Sequence, residues 1–280
     1  MSRSTTINLT RPITTDTPAG ALLPWEAPYR TEDIVTLTVN GANLFHITMG
    51  SGSATRLLGP GLGAPDGATT DQIAPERLVN RDATVVRVDP GPASSAGSAG
   101  AIEPDELRAA FAAAAPLRGD AILLVTGWGD TDRWRDDPSY YLATPHLTES
   151  SAETLVGLLA ETGSDLLLTD CAYLDSPAGS QARSEWTDLV PWLRPPFPSD
   201  AARTYLEHYR RDRVRRDWAA TLALTAQIWT VVGLVGCGGL RADRVRLTIA
   251  PLNVQGVGEV PCTVIAQERD DGAPARTFPR

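Results

Sequence analysis

The side chains best suited to chemistry include a polar group within residues 49–60, a segment rich in glycine and serine. Ser51, Ser53 and Thr55 carry hydroxyls that can donate hydrogen bonds to a ligand oxygen. Arg56 adds a permanent positive charge, which can hold a carboxylate, enolate or phenolate oxygen. The alternative interpretation of Arg56 is a structural residue that pairs with a nearby acid. The chain has no Gly-x-Ser-x-Gly elbow, so a serine nucleophile is disfavoured.

His46 lies just before this segment, in a stretch where apolar and polar side chains alternate. The alternation predicts a strand with Phe45, Ile47 and Met49 on one face, which we expect to be core. His46 lies on the other face and is a candidate general acid or base, because the ordinary pKa of histidine is close to neutral. A hydrogen-bonded strand histidine is the alternative.

Asp170, Cys171 and Tyr173 form a second polar group, at the end of a buried strand predicted at residues 165–169. Functional groups are common at such strand ends in α/β folds. All three residues are therefore candidates for catalysis, and Cys171 is also a candidate nucleophile for a hydrolysis without metal.

Two tryptophans, Trp25 and Trp128, are candidates for an aromatic pocket that binds a planar substrate, although core packing explains them as well. Residues 233–239 are rich in glycine but lack the Gly-Lys-Ser/Thr ending of a phosphate-binding loop. We interpret this second segment as a turn.

Composition excludes several classes of function. The net charge is −9 and the basic residues are mostly scattered, which disfavours nucleic acid as a partner. All 25 basic residues are arginine, so a Schiff-base lysine and covalently held pyridoxal phosphate are excluded, and we expect no cofactor. The arginine bias, with abundant alanine, glycine and proline, is typical of a high-GC genome such as that of an actinobacterium.

The same composition bears on the compartment. The longest apolar run, residues 228–235, is far shorter than the roughly 20 residues that a membrane span needs, and the first residues contain no apolar signal region. Three separated cysteines indicate neither a disulfide framework nor a zinc ribbon. We expect a cytoplasmic protein that does not bind a membrane.

Helical and extended patterns alternate along the chain, which predicts a mixed α/β fold. Predicted helices cover residues 103–115 and 150–161, the second opened by a Ser150–Glu153 capping box, and a long charged helix covers residues 200–226. Predicted strands are residues 22–25, 34–39, 43–49, 83–89, 120–126, 165–169, 245–251 and 262–266. We expect residues 1–20 to form either an extended arm or a disordered segment, residues 21–268 a single domain, and residues 269–280 a tail.

Four segments, in this order, resemble the cyclase family of kynurenine-formamidase-like hydrolases and polyketide cyclases. They are Leu-Leu-Val-Thr-Gly-Trp at residues 123–128, Tyr-Leu-Ala-Thr-Pro-His-Leu-Thr at 141–148, Thr-Asp-Cys-Ala-Tyr-Leu-Asp at 169–175, and Ala-Pro-Leu-Asn-Val with a later glycine at 250–256. The resemblance implies a swivelling β/α domain with a central β-sandwich or barrel-like core flanked by helices. It also implies a homo-oligomer, dimer or tetramer, and a mainly structural role for Asp170.

The family's metal-binding signature, His-x-Gly-Thr-His-x-Asp-x-Pro-x-His, falls on residues 50–60 but has lost its ligands. Arg56 stands in place of the Asp, and the three His positions are Gly50, Ala54 and Pro60. The two downstream ligand positions fall on Ala220 and Val232. Such side chains supply no metal donors, and a fixed cation repels a metal ion, so the sequence predicts a divergent member without metal.

We therefore expect a metal-independent isomerase or cyclase of bacterial specialised metabolism, such as antibiotic biosynthesis. Its substrate would be a carbonyl-rich, polyketide-like small molecule, on which side chains perform acid/base catalysis. A non-catalytic relative that binds a small molecule or scaffolds an assembly is the first alternative. An amide or lactone hydrolase that works without metal is the second.

Overall fold

The computed structural model describes residues 5–14, 29–64, 66–90, 100–135, 140, 143–175 and 226–268. The predicted strand at 22–25, most of the predicted long helix at 200–226, Trp25, Ala220 and the tail at 269–280 lie outside these residues. The helices are α1 (Leu37–Asn40), α2 (Pro104–Ala114) and α3 (Glu149–Thr162). The strands are β1 (Thr5–Asn8), β2 (Arg30–Val35), β3 (Leu44–Thr48), β4 (Arg56–Leu58), β5 (Arg81–Arg87), β6 (Ala101–Ile102), β7 (Ala121–Val125), β8 (His146–Leu147), β9 (Leu166–Thr169), β10 (Trp229–Val232), β11 (Arg244–Pro251) and β12 (Glu259–Glu268).

Seven strands close into a barrel in the order β12, β11, β5, β7, β9, β10 and β4. The long strand β12 closes it, because its second half pairs with β11 and its first three residues pair with β4. Strands β5, β7, β9 and β10 are parallel to one another. Strands β11 and β4 pair antiparallel with β5 and β10, and β12 pairs antiparallel with both β11 and β4. This mixed α/β fold with a barrel core is the predicted fold class.

Strand β7 shows why the barrel forms. Its five residues, Ala-Ile-Leu-Leu-Val, are all buried, as expected for a parallel strand that is covered on both faces. Leu123 packs in the barrel core, whereas Ile122 and Leu124 pack in a second cluster. Leu107 of α2 and Leu155 of α3 belong to that second cluster, so the helices cover the outer face of the strand.

The two predicted helices that lie within the described residues begin close to where the sequence indicated. Pro104 opens α2 after a capping box between Glu103 and Glu106. The box predicted between Ser150 and Glu153 is wrong, because the N-cap of α3 is Thr148 and its side chain exchanges hydrogen bonds with Ser151. Thr148 rather than Ser150 caps the helix, because the Thr148 hydroxyl lies beside the first free amides of the helix.

The N-terminal segment is a strand of the main sheet where it is described. Strand β1 pairs antiparallel with the last four residues of β12. Leu9 and Arg11, which follow it, are buried. The extended conformation was predicted, and the pairing shows that residues 5–14 pack on the domain.

Strands β2 and β3 form a separate two-stranded sheet, and all five residues of β3 are exposed. The strand predicted at residues 34–39 is wrong beyond Val35, because the chain turns into α1. The prediction that Phe45, Ile47 and Met49 are core is also wrong: Phe45 is 48% exposed, Ile47 is 54% exposed and Met49 is only partly buried. Alternation identified the apolar face correctly but could not show that the chain leaves it uncovered.

No helix in the described ranges is long and apolar enough to cross a membrane.

Candidate functional site

Arg56 is buried at the point where β4 closes the barrel between β10 and β12. Its Nε donates a hydrogen bond of 3.2 Å to Oε2 of Glu259, and its Nη2 lies 3.5 Å from the carbonyl oxygen of Ala172. The guanidinium side chain is 5% exposed, so its charge acts in a poorly solvated setting. The predicted alternative, an arginine paired with a nearby acid, is confirmed in its geometry.

Glu259 is the residue of the site that the sequence did not reveal. Its carboxylate accepts hydrogen bonds from Arg56 and, at 3.4 Å, from the hydroxyl of Ser51. The side chain is 22% exposed and Ser51 is exposed, so solvent reaches the site from this side. Glu259 begins the last strand, a few residues after the fourth family-like segment at residues 250–256. This position was the signal in the sequence that could have indicated Glu259.

Tyr173 lies over the guanidinium of Arg56, with the ring centroid 4.8 Å from Cζ. A cation above a tyrosine ring is stabilised by the electrons of the ring face. Tyr173 follows strand β9, whose end lies next to β10 and therefore near β4. Arg56 and Tyr173, candidates that the sequence indicated on separate grounds, are thus in contact in the fold.

An aromatic cluster continues the site beyond Tyr173. Trp128 stacks on Tyr140 with ring centroids 5.4 Å apart, and both pack with Trp134 and Ala172. Arg133 lies over the Trp128 ring at 4.9 Å. The indole N–H of Trp128 is buried and has no hydrogen-bond acceptor among the residues that the structure describes. An acceptor on a bound molecule would satisfy it, which fits the predicted substrate-binding role of Trp128.

Asp170 holds the turn that carries Trp128. Its carboxylate accepts hydrogen bonds from the backbone N–H and the hydroxyl of Thr126, at 2.9 and 2.8 Å, and from the N–H of Gly129. Complete burial raises the pKa of Asp170 to about 6, although these hydrogen bonds oppose the shift. All its partners belong to the turn after β7, so the geometry assigns Asp170 a structural role and gives no support to catalysis.

Cys171 does not have the properties of a nucleophile. Its side chain is 1% exposed, and burial, with the nearby Asp170 carboxylate, raises the pKa of the thiol to about 12. The thiolate, which is the nucleophilic form, is therefore scarce near neutral pH. The geometry disfavours the hydrolysis that the sequence allowed for Cys171.

Thr55 is not available as a donor to a ligand, contrary to the prediction. Its hydroxyl donates to the carbonyl oxygen of Gly233 at 2.7 Å and accepts from the N–H of Arg11 at 2.8 Å. A hydroxyl has one proton, and the proton of Thr55 is already donated to a backbone carbonyl, so none is left to donate to a ligand. Thr55 instead fastens β4 to the end of β10 and to the N-terminal segment.

Ser53 and His46 lie apart from these contacts. The N–H of Ser53 donates to Gly50 in a tight turn, and its side chain is partly buried. His46 projects from the β2–β3 sheet with a side chain 63% exposed, 3.9 Å from Glu32. The structure gives His46 no contact with Arg56 or Tyr173, so the prediction that His46 acts at the same site is not supported.

The segment at residues 233–239 is a turn, as predicted. Gly236 has a positive φ of 73°, and a single 3₁₀ turn follows over Cys237–Gly239. The N–H of Gly238 donates to the carboxylate of Asp130 at 2.7 Å. This bond ties the turn to the loop after β7, next to Trp128.

Comparison with known proteins identifies the family. The model of the family described as "Putative cyclase" matches residues 7–176, more than half of the chain. The chain belongs to the cyclase family. No curated protein matches it.

Solved structures of the cyclase fold resemble the chain over nearly its whole length. Isatin hydrolase A from Labrenzia aggregata, bound to benzyl benzoate, superposes with a TM-score of 0.68 and 18% identity, covering 94% of this chain and 93% of that one. Isatin hydrolase A from Ralstonia solanacearum gives 0.68 and 19%, with 94% and 92% covered. A predicted metal-dependent hydrolase from Bacillus stearothermophilus gives 0.63 and 13%, with 96% and 100% covered. At these identities the likeness shows the fold alone.

The residues at the cyclase-family metal positions do not fit a divalent ion. Gly50, Ala54 and Pro60 offer no side-chain donor. Val232, at a downstream ligand position, lies directly opposite Arg56 across β10 and β4. Within the described ranges, no group of three or more His, Cys, Asp or Glu side chains is arranged to hold a metal. A buried guanidinium stands where the family signature has a carboxylate, which reverses the charge of the site.

Proposed function

We propose that this cyclase-family member is an enzyme that enolises, and thereby isomerises or cyclises, a carbonyl-rich small molecule at the site of Arg56, Glu259 and Tyr173. The observation that carries the proposal is the buried guanidinium, held between a carboxylate that reaches solvent and an aromatic ring. The membership of the family supports an enzyme, and the reversed charge favours chemistry by side chains.

Each group has a role in this proposal. The Glu259 carboxylate removes a proton from a carbon next to a carbonyl group. The electron pair of that C–H bond forms a carbon–carbon double bond, and the π electron pair of the carbonyl group moves onto its oxygen. The positive charge of Arg56 stabilises the resulting enolate oxygen. Glu259 then returns its proton to another carbon in an isomerisation. In a cyclisation, the enolate carbon attacks a second carbonyl of the same molecule, whose oxygen takes the proton.

The aromatic cluster supplies binding rather than proton transfer. Trp128 and Tyr173, which are partly exposed, present flat apolar surfaces, and the buried Trp128 N–H provides one donor for an acceptor on the substrate. A planar polyketide-like intermediate of bacterial specialised metabolism has a flat surface that can pack on these rings and carbonyl oxygens that can accept the hydrogen bond from Trp128. The arginine-rich, lysine-free composition supports a bacterial source with a high-GC genome.

Non-catalytic binding is the rival function, since the Trp128 donor would serve a ligand that is not turned over. Proton exchange separates the two proposals, because an enzyme that forms enolates exchanges the acidic C–H of its ligand with solvent. A binding protein leaves the rate of exchange at the rate in buffer.

Glu259→Gln is expected to lower enzyme-dependent exchange by about 100-fold or more, since the amide cannot accept the proton. The measurement follows deuterium uptake from D₂O into a panel of β-dicarbonyl compounds by NMR. Glu153→Gln, an exposed position on α3, is the control and should exchange at the wild-type rate. Wild-type protein that binds a member of the panel without accelerating exchange, or a Glu259→Gln variant as fast as wild type, would remove the proposed role.

A further inference from the structure

Four aromatic side chains pack together beside Arg56, and an arginine lies over each of the four rings. The pairs, with the distance from Cζ to the ring centroid, are Arg11 and Tyr140 (5.9 Å), Arg56 and Tyr173 (4.8 Å), Arg133 and Trp128 (4.9 Å), and Arg135 and Trp134 (4.4 Å). Favourable pairs of this kind occur about once per 70–80 residues, so a chain of 280 residues is expected to contain about four. Four in one cluster are therefore a local concentration of arginine, in a chain whose net charge is −9.

The four arginines differ in their exposure. Arg11 and Arg56 are buried, with 2% and 4% of their surfaces exposed. Arg135 is the opposite case, since its side chain is 62% exposed and donates a hydrogen bond to Asp132. Arg133 is partly exposed, and so is the Trp128 ring beneath it. Of the four pairs, only this one has both partners partly exposed, so a molecule entering from solvent can contact the ring and the cation together.

Trp128 also carries a hydrogen-bond donor that needs an acceptor. Its indole N–H is buried, and the described residues place no acceptor within reach of it. A buried donor that is left without an acceptor costs free energy, so the site favours a ligand that supplies one. The backbone on either side of Trp128 is held in place, because the carboxylate of Asp170 accepts hydrogen bonds from Thr126 and Gly129.

A carboxylate matches this pair of groups. One of its oxygens can accept the indole N–H while the other accepts from a guanidinium, whose planar fork of N–H donors suits a carboxylate. A neutral carbonyl oxygen can accept from the indole but does not pair with the charge of Arg133. Because the N–H is buried, the long side chain of Arg133 has to move aside when such a group enters.

We propose that Trp128 and Arg133, which we call the acid subsite, bind a carboxylate of the substrate. The substrate is then a planar carbonyl compound that is also an acid. Tyr173 packs in the same cluster as Trp128 and contacts Arg56, so it lies between the two ends of the site. The enolised carbonyl group binds at Arg56, and the carboxylate binds at the acid subsite.

The inference rests on the proposed function for the position of the reacting carbonyl group. The acid subsite itself depends only on the contacts of Trp128 and Arg133. Binding and proton exchange therefore test the two proposals separately, and both can be measured on the same compounds.

The test compares 4-acetoacetylbenzoate, a planar β-dicarbonyl acid, with its methyl ester, by isothermal titration calorimetry on the full chain. We expect the wild-type protein to bind the acid about 10-fold more tightly or better, because hydrogen bonds to a charged acceptor are the stronger ones. Arg133→Met should weaken binding of the acid by about 10-fold and leave binding of the ester unchanged. Trp128→Phe, which keeps an aromatic ring but loses the N–H, should also weaken binding of the acid.

Arg135→Met is the matched control. Arg135 also lies over a tryptophan of the cluster, but it is exposed and bonded to Asp132. This variant should bind the acid as wild type does, and all three variants should keep the circular dichroism spectrum of the wild type.

Three results would overturn the acid subsite: a wild-type protein that shows no preference for the acid or binds neither compound, an Arg133→Met variant that binds the acid as wild type does, and an equal loss in Arg133→Met and Arg135→Met. Deuterium uptake into the methylene group of the same compounds reports on the proposed function. Preference for the acid without accelerated exchange would support the acid subsite and contradict enolisation. Accelerated exchange without preference for the acid would do the reverse.

Discussion

Arg56→Met is expected to lower enzyme-dependent proton exchange by about 100- to 1,000-fold, the usual cost of removing a group that stabilises a developing oxyanion. Methionine keeps much of the volume and the apolar stem of the arginine but loses the charge. The reason for a large effect is the setting of the guanidinium, which is 5% exposed and therefore little screened by water. The measurement is the same deuterium uptake into β-dicarbonyl compounds.

Arg56→Lys is the informative companion variant, because it keeps the charge and changes the geometry. We expect it to retain more exchange activity than Arg56→Met. Equal loss in the two variants would indicate that Arg56 acts only through its packing and its hydrogen bonds to Glu259 and Ala172. Both variants should be compared at equal folded fraction, since breaking the pair also destabilises the fold by about 1–3 kcal/mol. That cost is moderate because Glu259 is partly exposed.

Gly129→Ala is expected to lower the free energy of unfolding by about 3 kcal/mol or more. A Cβ at this position would collide with the carbonyl oxygen of Leu234 and would lie 3.0 Å from the Cβ of Asp170. Neither neighbour can move freely, because one is backbone and the other is fixed by hydrogen bonds to Thr126. Urea unfolding followed by circular dichroism measures the loss.

Gly157→Ala is the matched control for that variant. Gly157 lies in α3, and a Cβ there meets nothing within 4 Å. Alanine should raise the stability by about 0.5–1 kcal/mol, because glycine is the poorer helix former. A Gly129→Ala variant as stable as wild type would show that the turn carrying Trp128 can shift to accommodate a side chain. That result would contradict the conclusion that Asp170 holds this turn in place.

Local patterns predicted those parts of the fold that depend on local interactions. Strand β7 followed from five consecutive apolar residues, and α2 followed from proline and acids at its start. Strand β4 was missed, since it is three residues long and lies in a segment whose glycines and serines favour a loop. Its pairing with β10 and β12 comes from residues far away in sequence, which periodicity cannot reveal.

The sequence indicated the arginine of the candidate site but not the glutamate that pairs with it. The family resemblance indicated Arg56 as the replacement for a metal-binding carboxylate, and an acidic partner was one of its two interpretations. Glu259 lies 203 residues further along the chain, so only closure of the barrel identifies it. Closeness in sequence suggested that His46 shares this site, but the side chain of His46 lies on the β2–β3 sheet, where it is 63% exposed and neighbours Glu32.

Physical context also decided between a functional and a structural role for neighbouring residues. Asp170, Cys171 and Tyr173 follow the same strand, and their residue types alone made all three candidates. Burial disfavours Cys171 as a nucleophile, and hydrogen bonds to the turn after β7 occupy the carboxylate of Asp170. Tyr173 contacts Arg56 and stays a candidate residue of the site. Three residues of one motif therefore have three different sets of contacts, which residue type alone does not indicate.

The most direct test of the central claim, that side chains replace the metal at this site, is proton exchange by chelator-treated protein whose bound metal has been quantified. We predict that the purified protein holds no stoichiometric divalent metal and that chelation leaves the exchange rate unchanged. We also predict that added zinc or manganese does not raise the rate. Stoichiometric metal in the protein, together with exchange that is lost on chelation and restored by the metal, would contradict the account.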